Sequence, residues 1–203
     1  MFKLIKLIFN TTLLALAIIG FNAIGGQKYV EKAKHVVTNC IQKHAQESAK
    51  KLGNFSELHE EFQIDNSVNL LGYKAILAEH KVTGQKMCVL DSGKKVLLTQ
   101  EDIKGPELEN KMKKLADKFK YQSVSLREVK VISKGEIFVY GKSVPYARFE
   151  AKANKFPLLD LGGMIASVKT SDGSEKIILS VSENKKYSQL IAEEFYKNVK
   201  EYN

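Results

Sequence analysis

The residues of this sequence that are best suited to chemistry are two cysteines and the histidines that accompany them. Cys40 and His44 are four positions apart, so a helix places them one turn apart on the same face. With Cys88 or His80 they could hold zinc, or provide a thiolate activated by an imidazole. The same two positions also fit the apolar stripe of a helix, where a buried cysteine does no chemistry. The second interpretation is favoured, and no catalytic residue, metal ligand or cofactor is assigned.

Cys40 and Cys88 are also the only cysteines in the chain, and they lie far apart in the sequence. In an exported domain they can pair, and a disulfide bond would then close a long loop and stabilise the fold. In a reducing compartment they would be two small core residues. The disulfide bond therefore depends on where the domain resides.

Other signatures of chemistry are missing from the sequence. There is no phosphate-binding glycine loop, no Gly-x-Ser-x-Gly and no His-Glu-x-x-His. Of the 32 basic residues only Arg127 and Arg148 are arginines, the side chain that binds bases and phosphates bidentately. The net charge of +9 therefore indicates a solvated, lysine-rich surface that anionic lipid headgroups can attract. Nucleic-acid binding is not expected.

The start of the chain predicts contact with a membrane. Lys3 and Lys6 precede residues 7–27, which contain no charged side chain. A helix rises about 1.5 Å per residue and a hydrocarbon core is about 30 Å thick, so this stretch is just long enough to span it. The alternative is a signal peptide cleaved near Gly25. The apolar positions of this membrane segment are Leu7, Leu13, Leu14, Leu16, Ile18, Ile19, Phe21 and Ile24.

The lysines on either side of this segment bear on its orientation. Lys3 and Lys6 favour an N-terminus in the cytoplasm, whereas the lysines just after residue 27 favour the opposite. We expect a membrane-anchored protein whose domain lies outside the cytoplasm, or a secreted one if the segment is cleaved. The lipid bilayer is then its first partner.

A long amphipathic helix is predicted after the membrane segment, over residues 28–51. Gly53 ends it, as is common at helix C-termini. Its apolar stripe consists of Val30, Ala33, Val37, Cys40, Ile41, His44, Ala45, Ser48 and Leu52. An Asn54 cap with Glu57 three residues later predicts a second, short helix over residues 54–62.

The rest of the chain alternates strands with helices and predicts an α+β domain over residues 27–203. Strands are expected at 70–81, 86–90, 95–98, 124–132, 136–140, 144–153, 164–170 and 176–182, and helices from the Gly105-Pro106 start to 121 and over 186–202. This order indicates an antiparallel sheet of about six to eight strands with amphipathic helices packed on one face.

Two stretches repeat the same order of elements, in which strands and a glycine turn lead into an amphipathic helix. Residues 73–99 and 146–180 carry it, so a division into units 27–121 and 122–203 is possible. The closing hairpin and helix are similar in layout to the PsbP and Mog1-like α+β domains. This resemblance covers about the last 80 residues, rests on no motif and assigns no residue a role.

One connection between predicted strands is unusually apolar. It contains Phe156, Pro157, Leu158, Leu159 and Leu161. Such a segment forms either a lid on the core, which is favoured, or an exposed surface that contacts a partner, a ligand or lipid.

These observations favour a non-enzymatic role for a membrane-anchored or secreted protein that binds a partner or supports an assembly. One alternative is a small-ligand or lipid-binding domain with its cavity under the connection at residues 156–163. The other is an enzyme or metal-binding protein that uses Cys40, His44 and Cys88.

Overall fold

The strands of the described residues form one antiparallel sheet. The computed structural model describes residues 52–70, 73–91, 93, 96–118, 126–153 and 159–201. The strands are β1 (Phe62–Leu70), β2 (Tyr73–His80), β3 (Gln85–Asp91), β4 (Leu126–Val139), β5 (Lys142–Ala153), β6 (Leu159–Lys169) and β7 (Glu175–Glu183). They lie in the order β1-β2-β3-β7-β6-β5-β4, and every neighbouring pair is antiparallel. The predicted α+β class with an antiparallel sheet is confirmed.

Three α-helices and one short 3-10 helix accompany the sheet in the described residues. The helices are α1 (Gln100–Lys104), α2 (Leu108–Lys118) and α3 (Gln189–Asn198), and the 3-10 helix is Asn184–Lys186. The Thr99 side chain accepts a hydrogen bond from the Asp102 amide at 3.1 Å, and the Asp102 carboxylate accepts one from the Thr99 amide at 3.0 Å. This reciprocal cap explains why α1 begins directly after Thr99.

The helices lie on both faces of the sheet, so the prediction that they pack on one face is wrong. Ala192, Phe195 and Tyr196 of α3 pack on the first face, in a cluster that we call the first cluster. Ile103 of α1 and Met112 of α2 pack on the second face, in a second cluster. The physical reason is the long buried run in β6 and β7, because strands covered on both sides are apolar at consecutive positions.

The sequence predicts two strands, 124–132 and 136–140, where the structure has the single strand β4. It runs through Gly135, and its register shifts twice, between Leu126 and Glu128 and between Val131 and Ser133. Gly135 serves packing, because a Cβ atom there would lie 2.8 Å from the Tyr146 ring. A glycine that permits close approach has the same sequence signature as one that makes a turn.

The short helix that the sequence predicts over residues 54–62, before β1, is not formed. Residues 54–61 form no regular helix. The Asn54 amide donates to the Lys200 carbonyl oxygen at 2.8 Å, and the Lys200 amide donates back to Asn54 at 3.0 Å. The Asn54 side chain accepts a hydrogen bond from the Ser56 amide at 3.0 Å, as in a turn. Pairing with the C-terminal segment therefore prevails over the local capping signal.

Candidate functional site

The strand β5 presents three polar side chains on the first face of the sheet. Tyr146, Arg148 and Glu150 alternate along it and therefore point to the same side. Arg148 lies between Met164 of β6 and Ser133 of β4 in the register of the sheet. One of the two arginines of the chain is thus placed half-buried on the face that α3 covers, one strand in from the edge of the sheet.

Tyr187 covers this part of the face from the segment between the 3-10 helix and α3. Its side chain packs against Gly162 of β6, where a Cβ atom would lie 2.9 Å from the Tyr187 Cβ and 2.7 Å from the Asn184 Oδ1. Glycine is therefore required for this approach, and it brings the Tyr187 ring to 6.0 Å from the Arg148 Cζ. At this distance the ring face attracts the guanidinium.

Two donor groups in this cluster are left without partners. The Nε of Arg148 and the hydroxyl of Tyr187 are both buried, and neither has a hydrogen-bond partner among the described residues. A buried polar group without a partner destabilises a fold by about 1–3 kcal/mol, and more when it is charged. Such pairs are uncommon, and a ligand that accepts both hydrogen bonds would remove the penalty.

Charged groups of both signs lie near the Tyr187 phenol, namely the Arg148 guanidinium and the Glu193 carboxylate. Burial raises the pKa of Tyr187, and this outweighs the opposite effect of the nearby Arg148 charge. The phenol therefore stays neutral and able to donate, while an arginine stays charged at every ordinary pH. Both groups are hydrogen-bond donors, and a carboxylate or a phosphate that reaches them can accept from both.

The side of the cluster next to α3 is polar. The Gln189 amide donates to the Tyr146 hydroxyl at 3.4 Å and to the Glu193 carboxylate at 2.8 Å. Glu193 also lies 3.6 Å from the Lys197 ammonium. These groups have partners, so they hold Tyr146 in place beside Arg148. We call Tyr146, Arg148, Gly162, Tyr187 and Gln189 the Arg148 pocket.

A second polar group on the same face is complete, and we call it the Gln85 group. The Gln85 side chain is fully buried and donates to the Ser180 hydroxyl and the Ser188 carbonyl oxygen, both at 2.9 Å. Its oxygen accepts from the Ser188 amide at 2.8 Å. Nearby, the Tyr196 hydroxyl lies 2.6 Å from the Met164 carbonyl oxygen and 3.0 Å from that of Ile178. These contacts join the start of α3 and its body to the sheet.

A third polar group lies at the far end of the first face. Lys176, at the start of β7, is 5% exposed, and its ammonium lies 5.2 Å from the Tyr140 ring and 3.5 Å from the Leu52 carbonyl oxygen. Burial lowers the pKa of Lys176. The Tyr140 hydroxyl also donates to the Leu52 carbonyl oxygen. Lys176 and Tyr140 thus hold the chain before β1 against the end of the sheet.

Of the candidate cysteines and histidines, Cys88 and His80 lie within the described residues. Cys88 lies on β3, and burial raises the pKa of its thiol to about 12, so the thiol is a poor nucleophile. His80 packs against Phe62 and lies within hydrogen-bonding distance of Thr83, at 3.0 Å, and Glu61, at 3.2 Å. Cys40 and His44 lie outside the described residues, so a Cys40–Cys88 disulfide bond stays a prediction. Within the part of the chain that the structure describes, no three ligating side chains gather for a metal ion.

The apolar connection is described only at its end. Leu159 and Leu161 belong to β6, and Leu161 is buried in the second cluster. Phe156, Pro157 and Leu158 lie outside the described residues. A lid or contact role for those three residues stays a prediction.

The membrane segment also lies outside the described residues. Among the helices that the structure does describe, none has the length and apolar character needed to span a bilayer. The predictions of an anchor or a signal peptide are therefore untouched by the fold.

A cleft of about 440 Å³ lies at the edge formed by the β6–β7 turn and the start of α1. It is lined by Gly93, Val96, Gln100, Glu101, Lys169, Gly173 and Glu175. Lys169 and Glu175 face each other across the hairpin. These two side chains carry opposite charges and are in contact with solvent. The cleft therefore has no buried donor comparable to the Arg148 Nε.

The Arg148 pocket was not predicted from the sequence. The available signal was the rarity of arginine in a lysine-rich chain, together with the alternation of Tyr146, Arg148 and Glu150 along a predicted strand.

No protein-family model matches the chain, and a search of curated proteins finds no match either.

Proposed function

We propose that the protein is a non-enzymatic binding protein at a membrane, and that its Arg148 pocket receives an anionic group of a ligand or partner. The observation that carries the proposal is the pair of buried, unpartnered donors on Arg148 and Tyr187. An arginine beside a neutral phenol suits a carboxylate or a phosphate, which accepts several hydrogen bonds at once.

The membrane location is supported by the sequence of the N-terminus. Residues 7–27 lack charge and follow two lysines, as in an anchor or an export signal. A domain held beside a bilayer meets both soluble anions and the anionic headgroups of lipids. The small-ligand and lipid-binding alternatives therefore share one chemistry, which is the recognition of an anion.

The likeness of layout to the PsbP and Mog1-like domains remains part of the proposal. Its support is the order of β6, β7 and α3, a hairpin followed by a closing helix. No functional residue follows from it.

The direct experiment measures thermal stabilisation of the full chain, in neutral detergent, by inorganic phosphate and by succinate. A ligand at about 100 times its Kd stabilises the folded state by about 2.7 kcal/mol, which is several degrees in Tm. We expect wild type to be stabilised and Arg148→Met to lose this response. Arg127→Met is the matched control, because Arg127 is exposed on β4.

Two outcomes would contradict the proposal. One is equal stabilisation of Arg148→Met and wild type, which would mean that the anion binds elsewhere. The other is no stabilisation of wild type by either anion up to high millimolar concentration. A response to phosphate that short-chain anionic phospholipid displaces would identify a lipid headgroup as the source of the anion, whereas a stronger response to succinate would identify a carboxylate.

A further inference from the structure

Among the described residues, the Arg148 pocket is closed on one side and open on the other. On β6, the neighbour of Arg148 is Met164, which is fully buried in the first cluster. On β4, the neighbour is Ser133, which is exposed, and β4 is an edge strand of the sheet. Tyr187 lies over Gly162 of β6 and therefore covers the closed side. The side of Arg148 that faces solvent is thus the β4 side.

An irregularity of β4 determines which side chain lies opposite Arg148. Val131 pairs with Phe149 of β5. The next pair is Ser133 with Arg148, so Ile132 is an extra residue, as in a β-bulge. In regular antiparallel pairing the residue directly after Val131, which is Ile132, would lie opposite Arg148. The bulge therefore places a hydroxyl beside the guanidinium in place of an apolar side chain.

Helix α2 holds this bulge in place. The Val131 amide donates to the Glu109 Oε1 at 2.7 Å, so the backbone group next to the extra residue has its partner outside the sheet. The Val131 side chain packs against the second cluster, to which Met112 of α2 also belongs. Bulges that are fixed in this way often direct a side chain at a functional site. Contacts on the second face thus keep Ser133 in register with Arg148 on the first.

The spacing of the two side chains suits a shared anion. Side chains directly opposite each other in an antiparallel pair have Cβ atoms about 4.5–5.5 Å apart. The serine hydroxyl can donate one hydrogen bond, and the guanidinium can donate several. A carboxylate or a phosphate has enough acceptor positions to bind both groups at once.

We propose that the anion of the Arg148 pocket enters from the β4 side and that the Ser133 hydroxyl donates a further hydrogen bond to it. This inference rests on the proposed function and adds a direction of entry and a residue that selects the ligand. Because the β4 side faces solvent, the anion is the end of a larger ligand, a phosphate monoester or a terminal carboxylate, whose remainder lies over β4.

The first test follows the Tm of the full chain, in neutral detergent, during a titration with inorganic phosphate. Ser133→Glu adds a carboxylate beside Arg148 that competes with phosphate, so the concentration for the half-maximal shift in Tm should rise at least about tenfold. Ser133→Ala removes one donor and should raise this concentration about three- to tenfold. Gln63→Glu is the control, because it adds the same charge at an exposed position of β1, the other edge strand. It should respond like wild type.

The outcomes separate this inference from the proposed function. A wild-type chain that phosphate does not stabilise contradicts both. If wild type responds and both Ser133 variants respond at the same concentration, the inference is overturned and the proposed function stands. A loss in Ser133→Glu alone supports entry from the β4 side and overturns the hydrogen bond from the hydroxyl.

A second measurement tests the open side with phenyl phosphate. An anion that enters from an open side tolerates a bulky group on one oxygen, so wild type should respond at a concentration within about threefold of that for inorganic phosphate. A normal response to inorganic phosphate without any response to phenyl phosphate would show an enclosed pocket and overturn the proposal.

Discussion

The Gln85 group and the Arg148 pocket lie on the same face of one sheet but differ in how their polar atoms are satisfied. The Gln85 amide uses its donors and its acceptor within the chain. In the Arg148 pocket, Arg148 Nε and the Tyr187 hydroxyl are equally removed from water but have no partner in the described residues. The difference separates a group that holds the fold together from one that, in our proposal, binds a ligand.

The energies of hydrogen bonds explain why this contrast is informative. A completed buried hydrogen bond contributes about 1 kcal/mol, whereas a buried donor without a partner costs about 1–3 kcal/mol. Binding sites are often places where a fold keeps such a penalty because function requires it. Substitution should therefore lower stability in the Gln85 group and leave it unchanged, or raise it, in the Arg148 pocket.

The largest effect is expected for Gln85→Leu. The leucine fills a similar volume but leaves the Ser188 amide and carbonyl groups and the Ser180 hydroxyl without Gln85. We expect the free energy of unfolding to fall by about 2–4 kcal/mol, measured by urea denaturation. Gln63→Leu, at an exposed position of β1, is the control and should change it by less than about 0.5 kcal/mol. Equal effects of the two substitutions would remove the structural role of the Gln85 group.

A smaller loss of stability is expected for Tyr196→Phe. The ring keeps its place in the first cluster, and only the hydrogen bonds to the Met164 and Ile178 carbonyl groups are lost. The free energy of unfolding should fall by about 1–2 kcal/mol. A stability equal to that of wild type would show that the carbonyl groups are satisfied without the hydroxyl.

Arg148→Met should change the free energy of unfolding in the opposite direction. Methionine keeps much of the apolar stem against Tyr187 and removes the buried, unpaired Nε. We expect the free energy of unfolding to rise by up to about 1 kcal/mol in the absence of ligand. A fall of more than about 1 kcal/mol in the same urea titration would identify Arg148 as a structural residue and end the comparison.

The smallest effect is expected for Tyr187→Phe. The substitution removes only an unpartnered hydroxyl, and the ring continues to cover Gly162. Stability should stay within about 0.5 kcal/mol of wild type or rise slightly, while the stabilisation by phosphate or succinate should weaken. Unchanged stabilisation by both anions would exclude the Tyr187 hydroxyl from the pocket.

Much of the fold could be predicted from the sequence because its local signals agree with its tertiary structure. The β6–β7 hairpin has apolar runs on both sides of a glycine turn, the closing helix has a helical stripe, and both elements are present. The Thr99 cap of α1 is likewise formed by residues close to one another in the sequence. Strand β1 was not predicted, and its register shifts between Ile64 and Asn66.

Features that depend on distant residues could not be predicted. Asn54 pairs with Lys200 although its own sequence surroundings predict a helix cap. Gly135 leaves room for the Tyr146 ring, and the residues next to Gly135 in the sequence give no sign of this contact. Tyr187 reaches Arg148 only because the β5–β6 register brings Gly162 beside this part of the strand. The lack of a hydrogen-bond partner for a side chain is a property of the whole packed face, so sequence patterns carry no sign of it.

The central claim, that the Arg148 pocket is an anion site, can be tested at the unpartnered atom itself. The chain contains only two arginines, so a proton–nitrogen correlation spectrum of arginine Nε–H groups has two signals, which Arg127→Met assigns. On titration with phosphate or succinate, the Arg148 signal should shift and reach saturation while that of Arg127 stays in place. Two signals that shift together without saturation, or an Arg148 signal that stays in place throughout, would contradict the claim.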